Sequence, residues 1–306
     1  KRMSTRIGFV GLGTMGTVMC QRLMGAGYAL TVWNRSEAAG AALVKAGAKW
    51  AGSPREVAAA TDVVFSMVTD AAASQAVICG PGGLLDGVHP GLIIIDSASI
   101  LPEASQAIAE RVTAAGAMML DAPVSGGPKV AAEGRLGIMV GGPEAAFKTC
   151  EPILKHLGSM VLYTGANGNG TTLKLIANLV MGVAIQASAE ALVLAAKIGI
   201  DPQVVIDITS LPGTGPQTGA MATRGPRMLQ HNFFPAHFSA NNMDKDLTGA
   251  LRLAEKYGVS LPATSAAREI LRAVKSQGNG QIDSSAVVTV LETMAGTSVP
   301  GAHKAK

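Results

Sequence analysis

Ile7-Gly8-Phe9-Val10 reads as a short buried strand that runs straight into glycines at 11, 13 and 16. An apolar run, Val18 to Met24, follows and ends at Gly25 and Gly27. A strand, a glycine turn and a helix start are what a pyrophosphate needs. The first glycine permits the tight turn, the second lets the backbone approach the phosphates, and the third lets the helix pack on the strand with its amides facing the anion. Residues Gly11, Leu12, Gly13, Thr14, Met15 and Gly16 are therefore candidate cofactor contacts. An ordinary tight βα turn is the alternative.

The same alternation continues for half the chain. Apolar strands are expected at 7–10, 29–33, 63–68, 92–96, 118–121 and 136–140, separated by alanine-rich helical stretches near 37–46, 54–60, 71–78 and 102–115. Short apolar strands alternating with helices predict a doubly wound parallel sheet of Rossmann type. Past Tyr163-Thr164-Gly165 the strand signals stop and helical periods run to about residue 295. The expected fold is α/β: a dinucleotide-binding domain over 4–164, then an all-α domain for substrate binding and oligomerisation over 165–298. A long helix from about 168 to 198 joins them, and 299–306 is a tail.

Composition excludes several classes. The 306 residues are 48% hydrophobic and 15% charged, which is not the balance of a disordered chain. The net charge is +4, part of it in Lys1-Arg2 and His303-Lys304-Ala305-Lys306, and no basic stripe with interleaved aromatics suggests nucleic acid. Cys20, Cys79 and Cys150 match no metal or disulfide spacing, so free thiols in a reducing cytoplasm are expected, with no metal site. No signal peptide is read before the first strand, and Met3 is the expected natural start. The apolar stretch Leu173 to Ile200 carries Lys174, Asn178, Gln186, Glu190 and Lys197, which fits a buried helix better than a membrane span. Helices apolar on more than one face point to at least a dimer.

Four constellations carry chemistry. Asn34-Arg35-Ser36 ends the second strand, where an acid would bind a ribose 2′-hydroxyl; a cation and a hydroxyl there favour the 2′-phosphate of NADP(H), unless Arg35 is only an exposed loop residue. Asp121-Ala122-Pro123-Val124-Ser125-Gly126-Gly127 follows a strand, so Ser125, Gly126 and Gly127 could grip a substrate carboxylate or simply form a turn. Lys174 and Asn178 stand one helical turn apart. A buried lysine is pushed towards catalytic range and could exchange a proton with a substrate oxygen that Asn178 orients; a lysine that snorkels outward is the alternative. Asn241 to Leu247 reads as a helix start whose Lys245 could reach the cleft or lie on a solvated face.

Together these resemble the β-hydroxyacid dehydrogenase family over roughly residues 5 to 295. The markers are G-L-G-x-M-G at 11–16, D-A-P-V-S-G-G at 121–127, G-x-x-x-K-x-x-x-N at 170–178 and K-D-L at 245–247. The resemblance implies Lys174 as catalytic acid/base with Asn178 assisting, a substrate carboxylate on Ser125, Gly126 and Gly127, and cofactor contacts from Val68, Thr69, Ser99 and Lys245. NAD-using members resemble Asp at the position of Asn34, so this chain looks like the NADP-using branch. The expected function is NADP-dependent interconversion of a small β-hydroxy acid and its semialdehyde, and the resemblance implies a homodimer or homotetramer built through the helical half. Imine reduction and a non-catalytic cofactor-binding scaffold are the rivals; such relatives lack the lysine. Oxidative decarboxylation is set aside because Ala177 stands where that family resembles histidine. Pro212, Gly213, Thr214, Met221, Phe234 and Phe238 are candidates for the side-chain pocket.

Overall fold

The computed structural model describes residues 5–210 and 219–299. Met3, Pro212, Gly213, Thr214 and the tail from 300 onward lie outside them. The chain divides into two compact units, Lys1–Lys174 and Leu175–Lys306. The division falls inside a continuous helix, ten residues past the change of pattern in the sequence.

In the first unit, β1 (Arg6–Val10), β2 (Ala29–Trp33), β3 (Lys49–Trp50), β4 (Val63–Ser66), β5 (Ile93–Asp96) and β6 (Met118–Asp121) form one sheet in the order β3-β2-β1-β4-β5-β6. Every pairing is parallel. Helices α1 (Thr14–Gly25), α2 (Ala41–Lys45), α3 (Pro54–Ala60), α4 (Ala71–Cys79) and α5 (Pro102–Ala114) supply the crossovers. Successive strand residues point to opposite faces, which explains the continuous apolar strands. Ile7, Phe9, Phe65 and Ile95 pack on one side with Met19 and Leu23 of α1. Val10, Val64 and Ile94 pack on the other with Val57 of α3, Ile78 of α4 and Ile108 of α5. This is the doubly wound parallel sheet that the strand–helix alternation predicts.

The expected strand at 136–140 belongs to a second sheet. There β7 (Val124–Ser125), β8 (Gly137–Val140) and β9 (Met160–Tyr163) lie in the order β7-β8-β9, with β7 antiparallel and β9 parallel to β8. Helices α6 (Pro128–Ala132) and α7 (Glu144–Leu157) connect them. The stretch near 37–46 is a 3₁₀ turn, Glu37–Gly40, followed by the short α2, not one helix.

Helix α8 (Asn169–Ile198) leads into the second unit, which holds α9 (Pro202–Ser210), α10 (Gly219–Leu229), α11 (Ala240–Lys256), α12 (Pro262–Ser276) and α13 (Val287–Ala295). Its described residues are helical apart from turns, a 3₁₀ segment and one isolated bridge between Ser239 and Asp283. α8 is long and apolar enough to cross a membrane by length and composition. Its Ile185, Ala189, Leu192 and Val193 instead sit in the core of this unit, with Met228, Met243, Leu247 and Leu271.

Candidate active site

The carboxyl ends of the parallel strands share one edge of the main sheet, and the order reverses between β1 and β4, which is where open α/β sheets bind ligands. The turn after β1 is built for close approach. Gly11 has φ of +93°, and a Cβ there would stand 2.3 Å from the Met67 carbonyl oxygen. A Cβ on Gly16 would stand 2.0 Å from the Gly11 carbonyl oxygen. Both glycines are therefore fixed by the packing of strand, turn and helix.

Gly13 differs. It is exposed, precedes α1 with no side chain capping the helix, and a Cβ there would meet nothing within 4 Å. No acid lies in the first turn of α1. The helix thus presents uncapped amides and the positive end of its dipole beside an open backbone. These residues fit a dinucleotide pyrophosphate.

At the end of β2, the Asn34 side chain faces inward. Its Oδ1 accepts from Leu12 N at 3.0 Å and its Nδ2 donates to Ser36 O at 3.1 Å. Asn34 therefore ties the β2 loop to the glycine turn, while Arg35 and Ser36 beyond it are exposed. After β4, Val68 is half-buried and Thr69 exposed; the Thr69 hydroxyl donates to Asp70, whose carboxylate caps α4 through Ala73 N at 2.9 Å. Ser99 is half-buried in the loop after β5. The fold thus brings the expected cofactor residues 11–16, 34–36, 68, 69 and 99 to one sheet edge; Lys245 lies on α11 in the second unit.

Asp96, at the end of β5, is a buried acid that the sequence reading left without a role. Burial pushes its carboxyl up to about 6, against the hydrogen bond that its Oδ1 accepts from Ala98 N at 3.3 Å. Its register neighbours are Ser66 on β4 and Asp121 on β6.

Ser125 ends the short strand β7, opposite Gly137, and Gly126 and Gly127 follow in an exposed loop, Gly126 with φ of +120°. Asp121, four residues earlier, is buried and accepts from Gly168 N and Thr171 N at the start of α8. Within the first three turns of that helix come Lys174 and Asn178, each only 8% exposed. Most of the Lys174 side chain is therefore covered by protein.

Asn178 Nδ2 donates to Asp246 Oδ2 at 2.5 Å, and Asp246 is 1% exposed. Lys245 Nζ lies 3.5 Å from Asp246 Oδ1, its side chain 40% exposed. Sequence reasoning passed over Asp246 within the K-D-L motif. The signal was there: Asp246 falls between Met243 and Ala250 on the apolar face of α11, where an acid must have a buried partner. Of the remaining pocket candidates, Met221 is buried, Phe238 is half-buried and Phe234 is exposed.

Known proteins are similar over nearly the whole chain. The profile of the NAD binding domain of 6-phosphogluconate dehydrogenase matches residues 6–165, and that described as NAD-binding of NADP-dependent 3-hydroxyisobutyrate dehydrogenase matches 168–291. 2-Hydroxy-3-oxopropionate reductase of Escherichia coli is 37% identical over 95% of this chain and 98% of its own. Glyoxylate/succinic semialdehyde reductase 2 of Arabidopsis thaliana is 35% identical over 94% of this chain and 79% of its own. The crystal structure of 3-hydroxyisobutyrate dehydrogenase from Salmonella typhimurium superposes with a TM-score of 0.84 at 32% identity, covering 94% of this chain and all of that one. A glycine turn at the switch point of a 3-2-1-4-5-6 sheet, a buried lysine on the long helix and these matches agree: the chain belongs to the β-hydroxyacid dehydrogenase family, whose members are NAD(P)-dependent oxidoreductases.

Proposed function

We propose that this protein is an NADP(H)-dependent reductase of small aldehydes that carry a carboxylate, equally a dehydrogenase of the corresponding β-hydroxy acids. The observation that carries the reading is the pair Lys174 and Asn178, buried one turn apart on α8. A lysine is kept out of water only at a cost, and this one stands in a helix that further on supplies Ile185, Ala189, Leu192 and Val193 to the core.

The cofactor, when bound, supplies the hydride. Gly11 to Gly16 would hold its pyrophosphate on the α1 amides, and Arg35 with Ser36 would hold the 2′-phosphate. Val68, Thr69, Ser99 and Lys245 are the further contacts. Ser125 and the amides of Gly126 and Gly127 would bind the substrate carboxylate and so fix the aldehyde carbon. In reduction, the Lys174 ammonium gives its proton to the oxygen as the carbon gains hydride, which leaves a hydroxyl and a neutral amine; oxidation runs in reverse. Asn178, oriented by Asp246, would hold that oxygen. The relatives named for 2-hydroxy-3-oxopropionate and succinic semialdehyde support this substrate class. A cytoplasmic setting belongs to the same reading, with Cys20, Cys79 and Cys150 as free thiols.

The test is NADPH oxidation with 2-hydroxy-3-oxopropionate, succinic semialdehyde and glyoxylate, by wild type and by Lys174→Met. The variant keeps length and removes the proton. A fall in kcat of roughly 10²–10⁴-fold is expected, the usual size of a general acid–base contribution, with NADPH affinity nearly unchanged. A variant retaining more than about a tenth of wild-type kcat would show that the proton comes from elsewhere.

A further inference from the structure

Asp121 closes β6, and its two ends bind different parts of the first unit. The backbone N–H donates to Gly141 O at 3.0 Å and the carbonyl accepts from Gly141 N at 2.9 Å. Ala122 N donates to Asp96 O at 2.7 Å, so the strand that leads to Ser125 leaves the sheet from a fixed point. The carboxylate of Asp121 turns the other way. Its Oδ1 accepts from Gly168 N at 2.8 Å and its Oδ2 from Thr171 N at 2.9 Å. These are amides at the start of α8, the donors that a helix cannot satisfy within itself. An acid from another element therefore caps the helix, and Lys174 follows Thr171 by three residues.

The junction has almost no compliance. A Cβ on Gly170 would stand 2.5 Å from Met139 O, 2.6 Å from Asp121 O and 2.8 Å from Asp121 Oδ2. A Cβ on Gly141 would stand 2.7 Å from Asp121 Oδ1 and 2.9 Å from Gly170 N. Helix start and strand end approach backbone to backbone, and the side chain that reaches between them, the Asp121 carboxylate, is itself held by the helix amides. Beside them Asn167 Nδ2 donates to Met119 O at 2.9 Å, which closes the last gap.

From this geometry we infer that Asp121 is a positioning residue for the reaction: its carboxylate sets the phase of α8, its backbone sets the root of the 122–127 loop, and together they fix where Lys174 stands relative to the carboxylate-binding residues. The inference rests on the reading of Lys174 as proton donor and of Ser125 to Gly127 as the carboxylate site.

Asp121→Asn keeps one acceptor and turns an NH₂ towards the other helix amide. It is expected to lower kcat by about 10²-fold, the cost of a displacement of about 1 Å at a reacting pair, while the KM for NADPH stays unchanged. kcat is counted per NADPH-binding site, titrated by fluorescence, so that misfolded enzyme drops out. Gly170→Ala, which pushes the same junction apart without touching its charge, is expected to act alike and carries the test should Asp121→Asn not fold. The double variant should be no worse than the poorer single one, because both break one junction. Hydrogen exchange should show faster exchange at Gly168 N and Thr171 N and unchanged protection in β1 and β4.

The two ideas fail separately. If Lys174→Met stays active, the reading of the site is wrong. If Lys174→Met is inactive while Asp121→Asn and Gly170→Ala keep wild-type kcat per binding site and lose only thermal stability, Asp121 is structural and the inference is overturned.

Discussion

Arg35 follows Asn34 at the end of β2, and the two residues divide the work. Asn34 is committed to Leu12 N and Ser36 O, so it shapes the turn. Arg35 is exposed and left to meet a charge. Arg35→Ala is expected to raise the KM for NADPH by about 10- to 150-fold, one charge-assisted contact of roughly 1.5–3 kcal/mol, and to leave the KM for NADH nearly unchanged. Equal effects on both cofactors would remove the case for a 2′-phosphate contact. Asp96 makes a prediction about stability. Its carboxyl is pushed up by burial to about 6, whereas an unfolded Asp titrates near 3.9. Between about pH 4 and 6 the folded chain holds a proton that the unfolded chain has released, so this group's contribution falls as pH rises through that window and is flat above it. Asp96→Asn removes the titration. Urea unfolding at pH 4.5 and 7.5 should show the variant gaining about 2 kcal/mol relative to wild type at the higher pH; parallel behaviour at both would mean the acid is already relieved.

At the scale of elements, the glycine turn separates fold from function. Gly16→Ala forces a Cβ to within 2.0 Å of Gly11 O, so something must shift. A loss of about 1–3 kcal/mol is expected, seen as a lower Tm. Gly13→Ala meets no protein atom, and φ of −70° suits alanine. Its Tm should hold, while NADPH binding weakens by roughly 10-fold or more because the Cβ occupies the phosphate approach. A Gly13→Ala enzyme with both intact would place the phosphates elsewhere. This contrast also shows what a sequence makes legible. β1, β4, β5 and β6 were readable because both faces of a parallel strand are buried and most of its residues are apolar, and β2 because its apolar run holds although buried and half-buried residues alternate along it. β3 and β7 were not, at two residues each. β9 was missed because Met160, Leu162 and Tyr163 are exposed apolar residues on an edge strand, with no alternation to mark them. In the candidate site, Lys174 and Asn178 were legible because four residues of helix put them on one face. Asp246 could be marked by its place on the apolar face of α11, but its partner could not, because the contact with Asn178 spans 68 positions that no local pattern records.

On the molecule as a whole, apolar side chains remain uncovered. Val180, Leu194, Ile198, Val204 and Ile208 of α8 and α9 are each more than half exposed. Apolar residues repeated along helices at this exposure call for a cover, and a second copy of the chain is the expected one. Light scattering at micromolar concentration should give at least twice the 31.0 kDa chain mass; a monomer would contradict this. The sheet order bears on something else, the birth of the chain. The innermost strand, β1, pairs with β2 on one side and with β4 on the other, where Ile7 meets Val63. No ribosome can release that second partner until Ser66 has been made, and α8 gains its Asp121 cap only after Thr171 follows. Between the making of Trp33, which completes β2, and that of Ser66, then, the strand made first waits half-paired, its apolar edge open to any other nascent strand nearby.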